Sequence, residues 1–229
     1  MKNILLIGGS HGIGLSIVNE LKETHKLFVA SRTGESLSHE NVTHIQFDVT
    51  KDDLDLSQLP EKLDGFVYCP GSINLKPFKM MSLETFKEDM ELNFFALVKV
   101  VKQIISKMNE GSSMVFFSTV AVGTGMPFHT SVAAAKGAIE GFTKSMAAEY
   151  APKIRVNAIA PSLVDTSLSS RLLSNDKKRE SMDARHPLKR VGKPEDIASS
   201  AVFLLSDKST WVTGQIIGVD GGLSTLNIT

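Results

Sequence analysis

A chain of 229 residues fits one domain at roughly 100 to 200 residues each, and 42% hydrophobic with 22% charged residues is an ordinary globular composition, away from disordered, collagen-like or membrane-spanning chains. Lys plus Arg and Asp plus Glu each number 25, so the formal net charge is zero; this argues against nucleic-acid binding through many phosphates but leaves room for one small anion at a helix terminus. The lone Cys69 forms no internal disulfide, and neither CxxC nor Cys/His metal spacing occurs, so a metal-free protein in a reducing, cytoplasmic setting is expected.

Met1 to Ile7 offers one Lys and four apolar residues before a glycine, too little for a secretion signal or a membrane span, and reads as a strand. Gly8, Gly9, Ser10, His11, Gly12, Ile13 and Gly14 follow at once, and Ile13, Ile17 and Leu21 then recur with helical spacing. Strand, glycine turn and helix start are the context in which a backbone turns tightly and presents its N–H groups to a pyrophosphate. The spacing Gly8, Gly12, Gly14 is a GxxxGxG variant of the nucleotide-binding turn.

The second strand, Leu27 to Ala30, ends at Ser31 and Arg32, where an acidic residue would bond the ribose hydroxyls of NAD. An Arg without that acid suits a 2′-phosphate, so NADP(H) is expected in preference to NAD(H) unless Arg32 is simply a solvated loop residue. Asp48 and Val49 follow the strand Val42 to Phe47; the carboxylate can accept from an adenine amino group or cap the next segment.

Further strands are expected at Gly65 to Tyr68, Met114 to Phe117, Ile154 to Ile159 and Gln215 to Val219, with long helices near Leu83 to Met108 and Val132 to Tyr150. The alternation predicts an α/β fold, a doubly wound, mostly parallel sheet of Rossmann type, over residues 1–229 as one domain. Residues 161–192 mix Ser, Leu, Lys, Arg and Asp without a long apolar run, which makes them a candidate substrate lid or a plain surface excursion.

In order, these segments resemble the short-chain dehydrogenase/reductase family over nearly the whole chain. Residues 8–14 are similar to its TGxxxGxG turn, with Ile7 at the usual Thr, and Tyr68-Cys69-Pro70-Gly71 keeps only the glycine of its NNAG segment. Asn93 matches the helix Asn that anchors a relay water, and residues 161–166, Pro161-Ser162-Leu163-Val164-Asp165-Thr166, resemble its PGxVxT stretch at the nicotinamide carboxamide. Residues 190–198 and 212–222 complete the likeness. The resemblance implies that Pro70, Gly71, Pro161, Val164 and Thr166 help to bind the cofactor. It also implies a homo-oligomer, most simply a tetramer, in which the two long helices pair.

The catalytic motif departs from the family. Counting the family's Ser, Tyr and Lys without gaps puts Thr119 at the Ser, Lys136 at the Lys and Val132 at the Tyr. Tyr150 stands fourteen residues beyond Lys136, about 21 Å along a helix at about 1.5 Å per residue, and cannot substitute. Carbonyl reduction needs a proton for the nascent alkoxide, and losing such an acid costs about 10² to 10⁴ in rate. Thr119 keeps a hydroxyl and Lys136 can still fork to ribose hydroxyls; His129, three residues before Val132, is a tentative acid against the plainer reading of a solvated loop His. Two functions stand. One is an NADP-dependent oxidoreductase acting on a carbonyl or alcohol of a small metabolite, with an altered acid. The other is an impaired nucleotide-binding pseudo-enzyme, serving as a sensor or as the partner of an active homologue.

Overall fold

Short runs of Ile, Leu, Val and Phe that are apolar on both faces can only be strands buried between two helical layers, and the computed structural model, which describes residues 1–227, arranges them so. The strands are β1 (Asn3–Ile7), β2 (Lys26–Ser31), β3 (Val42–Gln46), β4 (Leu63–Tyr68), β5 (Met108–Phe117), β6 (Ile154–Pro161) and β7 (Ile216–Val219). They form one sheet in the order β3-β2-β1-β4-β5-β6-β7. Every pairing is parallel, so the sheet is wholly and not merely mostly parallel.

Alternation along each strand divides the core. Leu5, Ile7, Phe66 and Phe116 face one layer with Leu97 and Ile139, while Ile4, Leu6, Val67 and Val115 face the other with Ile17 and Ile197. The first layer holds α2 (Leu83–Met90), α3 (Ala96–Ile104) and α5 (Thr130–Tyr150); α1 (Gly12–Leu21) and α7 (Pro194–Leu205) form the second. Two further helices are α4 (Ala121–Thr124) and α6 (Asp176–Arg185).

The helix expected from Leu83 to Met108 is interrupted by a π turn, Glu91–Phe95, between α2 and α3, and its end passes into β5 at Met108. The cause is local: Asn93 Nδ2 donates to the Asp89 carbonyl at 2.8 Å and so competes for the acceptor that a regular helix would give the Asn93 N–H. Residues 161–192 are more regular than expected, holding a 3₁₀ helix, Ser167–Leu173, and α6. A parallel bridge between Val164 and Gly192 closes the segment at its base, and Arg179 pairs with Asp165 at 2.7 Å. Among the described residues no helix is long and apolar enough to cross a membrane.

Candidate active site

The strand order reverses between β1 and β4, and a parallel sheet opens a crevice beyond the carboxyl ends of its strands at such a point. A cavity of about 1200 Å³ occupies it. That is larger than the roughly 300 to 1,000 Å³ of single-ligand pockets and has room for a dinucleotide with a second molecule.

The glycine turn forms one wall. Gly8 and Gly12 have φ of 80° and 53°, in the left-handed region that favours glycine. Gly14 cannot carry a side chain for another reason: a Cβ there would stand 2.3 Å from the Gly8 carbonyl oxygen. A Cβ on Gly12 would meet the Thr166 methyl at 3.2 Å, so the turn lies close against the chain after β6. His11 makes no side-chain capping bond and the first turn of α1 has no acidic residue, so the helix presents free N–H groups and the positive end of its dipole to the cavity.

At the end of β2, Ser31 is buried and donates to the Thr33 carbonyl at 2.8 Å, while Arg32 is exposed and makes no ion pair among the described residues. Asp48 Oδ1 accepts from the Thr50 hydroxyl at 2.7 Å and from its N–H at 3.1 Å, bonds that hold its carboxyl below the usual range. One Asp48 oxygen thus closes a turn, while the residue still lines the cavity with Val49.

The rest of the cavity lining brings the remaining positions together. Thr119, His129, Val132, Lys136, Pro70, Gly71, Pro161, Val164 and Thr166 all line the cavity, as do Ser10, His11, Ile13 and the other turn and strand-end residues singled out from the sequence. Lys136 is buried and donates from Nζ to the Phe117 carbonyl at 2.9 Å; burial lowers its pKa to about 8, with Cys69 and Asp89 pulling the other way. Val132, one turn earlier on α5, is 6% exposed and presents only methyl groups. His129 caps the start of α5, with Nδ1 donating to the Pro127 carbonyl at 2.8 Å. Burial pushes the Cys69 thiol up to about 12, and Tyr68 donates its hydroxyl to the Leu92 carbonyl, so neither is an available acid near neutral pH.

Asn93 lies behind Gly71 and outside the cavity wall. Its Nδ2 donates to Ser72 Oγ at 2.9 Å, while its Oδ1 is buried without a partner. A Cβ on Gly71 would come within 3.3 Å of both that Oδ1 and Lys136 Nζ, so the glycine keeps the gap between them open. Periodicity did not reveal Asp89, fully buried on α2, which accepts from Ser72 Oγ at 2.5 Å and Asn74 Nδ2 at 2.7 Å. It also gave no hint of His186, a cavity residue from the end of the irregular segment. Among the described residues no group of three His, Cys, Asp or Glu side chains is placed to hold a metal ion.

Known proteins share this fold. The enoyl-(acyl carrier protein) reductase family model matches residues 8–224. The 3-oxoacyl-(acyl-carrier-protein) reductase of Chlamydia trachomatis is 32% identical over 243 aligned residues, covering 97% of each chain. A Xanthobacter autotrophicus protein named inactive 2-(S)-hydroxypropyl-CoM dehydrogenase 2 is 37% identical over 172 residues, covering 72% of this chain and 74% of its own. Among solved structures, a short chain dehydrogenase family protein from Francisella tularensis superposes with a TM-score of 0.89 at 29% identity, covering 99% of this chain and all of the other.

Proposed function

The chain belongs to the short-chain dehydrogenase/reductase family, and we propose that it is an NADP(H)-preferring oxidoreductase that interconverts a carbonyl and an alcohol of a small metabolite without a catalytic tyrosine. The observation that carries this reading is the uncapped start of α1 behind glycines that tolerate no side chain, with the unpaired Arg32 beside it. The pyrophosphate fits the first turn of α1, and the adenine fits beside Asp48 and Val49. The 2′-phosphate fits Arg32 and Ser31, the nicotinamide ribose fits Lys136, and the carboxamide end fits Pro161, Val164 and Thr166. Bound there, the nicotinamide supplies or accepts a hydride.

The residues of this chain do the rest. Lys136 carries its charge at pH 7 because about 8 is still above it, and can bond ribose hydroxyls from a fixed position. Thr119 offers a hydroxyl to a substrate oxygen. Residues 161–192 act as the substrate lid, with Leu168, Leu172 and Met182 of that segment lining the cavity. Self-association, with a tetramer as the expected form, would cover Phe78, Met80, Leu83 and Phe95 on one side and Trp211 on another; Trp211 is 99% exposed. The pseudo-enzyme reading is favoured by one observation: the Tyr position is filled by a packed valine with no proton to give.

Calorimetric titration tests the assignment. NADPH is expected to bind at least ten-fold more tightly than NADH, since a hydrogen bond to a charged group is worth about 1.5 to 3 kcal/mol. Equal affinities, or an Arg32→Ala chain with unchanged NADPH affinity, would refute it.

A further inference from the structure

The cavity wall contains a hydroxyl–imidazole pair close to the reacting position. Ser118 N–H donates to the Ile159 carbonyl at 2.7 Å and Val120 N–H to that of Pro161 at 3.1 Å, so the chain stays beside β6 past the end of β5. Ser162 follows directly on Pro161, the residue that accepts from Val120, and so lies beside the chain at Thr119 and Val120. Its Oγ lies 2.9 Å from His186 Nε2, and His186 Nδ1 lies 2.8 Å from the Met182 carbonyl. Both residues face the cavity that Thr119, Val132 and Lys136 line.

These contacts fix the protons. A carbonyl only accepts, so Nδ1 carries a hydrogen, and in the neutral ring Nε2 must accept from the Ser162 hydroxyl. When the ring is charged, Nε2–H donates to Ser162 Oγ and the hydroxyl hydrogen turns to its second acceptor, the Asp220 carbonyl at 3.3 Å. The ring is 3% exposed and packs against Gly221, where a Cβ would stand 3.7 Å from its Cδ2. A hydroxyl bonded to an imidazole that a third group orients is the arrangement of an acid-base pair.

We propose that Ser162, backed by His186, is the proton donor in reduction and acceptor in oxidation, taking the role left vacant at Val132; this rests on the reductase reading above. In reduction the carbonyl carbon gains a hydride from NADPH and its oxygen gains the Ser162 hydroxyl proton. Ser162 is refilled from Nε2–H of the His186 imidazolium, which becomes the neutral Nδ1–H ring and takes a proton back from solvent. The sum is NADPH, a proton and a carbonyl giving NADP⁺ and an alcohol. Ser162 is the catalytic residue and His186 the positioning residue behind it. The carboxylate of Asp220 interacts electrostatically with His186. Burial pushes Asp220 up, but hydrogen bonds from Ser224 and Gly222 hold it below the usual carboxylate range, so it stays charged.

The test uses the whole chain with NADPH and three carbonyl probes: ethyl acetoacetate, 2,3-butanedione and benzaldehyde. Ser162→Ala is expected to lower kcat by about 10² or more with NADPH affinity unchanged. His186→Gln should lower kcat with KM and NADPH affinity unchanged. Should His186→Gln fail to fold, Ser162→Ala, which removes one oxygen atom, still decides. Without cofactor, ¹⁵N NMR should show His186 protonated at Nδ1, with an Nε2 signal that moves in Ser162→Ala. Unchanged kcat in Ser162→Ala, or an Nε2 signal indifferent to Ser162, would each overturn the pair. A chain that binds NADPH but reduces no probe overturns the pair's catalytic role and spares the cofactor assignment, whereas one that binds no NADPH overturns the reading beneath both.

Discussion

Replacing Lys136 with methionine isolates the electrostatic burden that the site places on the fold. The ammonium is 7% exposed, and burial moves its pKa from 10.5 to about 8. That is about 2.5 units, and at 1.36 kcal/mol each the charged form destabilises the folded chain by about 3 kcal/mol. The sign follows from proton counting. Between pH 8 and 10.5 the unfolded chain holds the proton and the folded one has released it, so this group's contribution raises stability with pH; below 8 the whole penalty applies, and above 10.5 none does. Methionine removes the penalty and also the bond to the Phe117 carbonyl, whose loss costs about 1 to 3 kcal/mol if that oxygen stays dry. At pH 7 the variant should thus match or slightly exceed the wild type, and at pH 10.5 it should be less stable by about 1 to 3 kcal/mol. Urea titrations from pH 7 to 11 measure both curves, and subtracting them cancels the other titrating groups. A difference that stays constant across that range would refute the reasoning.

Val132→Tyr places a phenol one helical turn from Lys136, and in a chain also carrying Ser162→Ala it should raise carbonyl reduction by up to about 10² to 10⁴. The ring enters a packed position and should cost about 1 to 3 kcal/mol, read by denaturation; no gain in rate with NADPH binding intact would mean that more than the acid is missing. Gly14→Ala sets a methyl 2.3 Å from the Gly8 carbonyl oxygen unless the turn shifts. It should lower Tm by roughly 5 °C and weaken NADPH binding, and an unchanged Tm would contradict the turn geometry. Light scattering at micromolar concentration should give a multiple of 24.9 kDa, with Trp211→Lys or Phe95→Lys reducing it; a wild-type mass of 24.9 kDa alone would sink the self-association.

Much of this protein was already decided by sequence, because local rules suffice for it. Strand runs apolar on both faces require helices above and below, and the glycines after β1 suit a turn whose φ values of 80° and 53° other residues rarely adopt. That Tyr150 stands too far along α5 to reach Lys136 is likewise a matter of counting along one helix. Tertiary structure decided what depends on residues meeting from distant parts of the chain. The π turn that buries Asn93 Oδ1 without a partner depends on a side chain taking a backbone acceptor, which periodicity does not register. Asp89 occupies a helix position that reads as polar surface, and only the approach of Ser72 and Asn74 makes its burial tolerable. Ser162 and His186 lie 24 residues apart in a segment without a regular hydrophobic pattern. Their pairing exists because the bridge from Val164 to Gly192 folds that segment back over the cavity, and hydrogen bonds depend on distance in space, not on spacing in the chain.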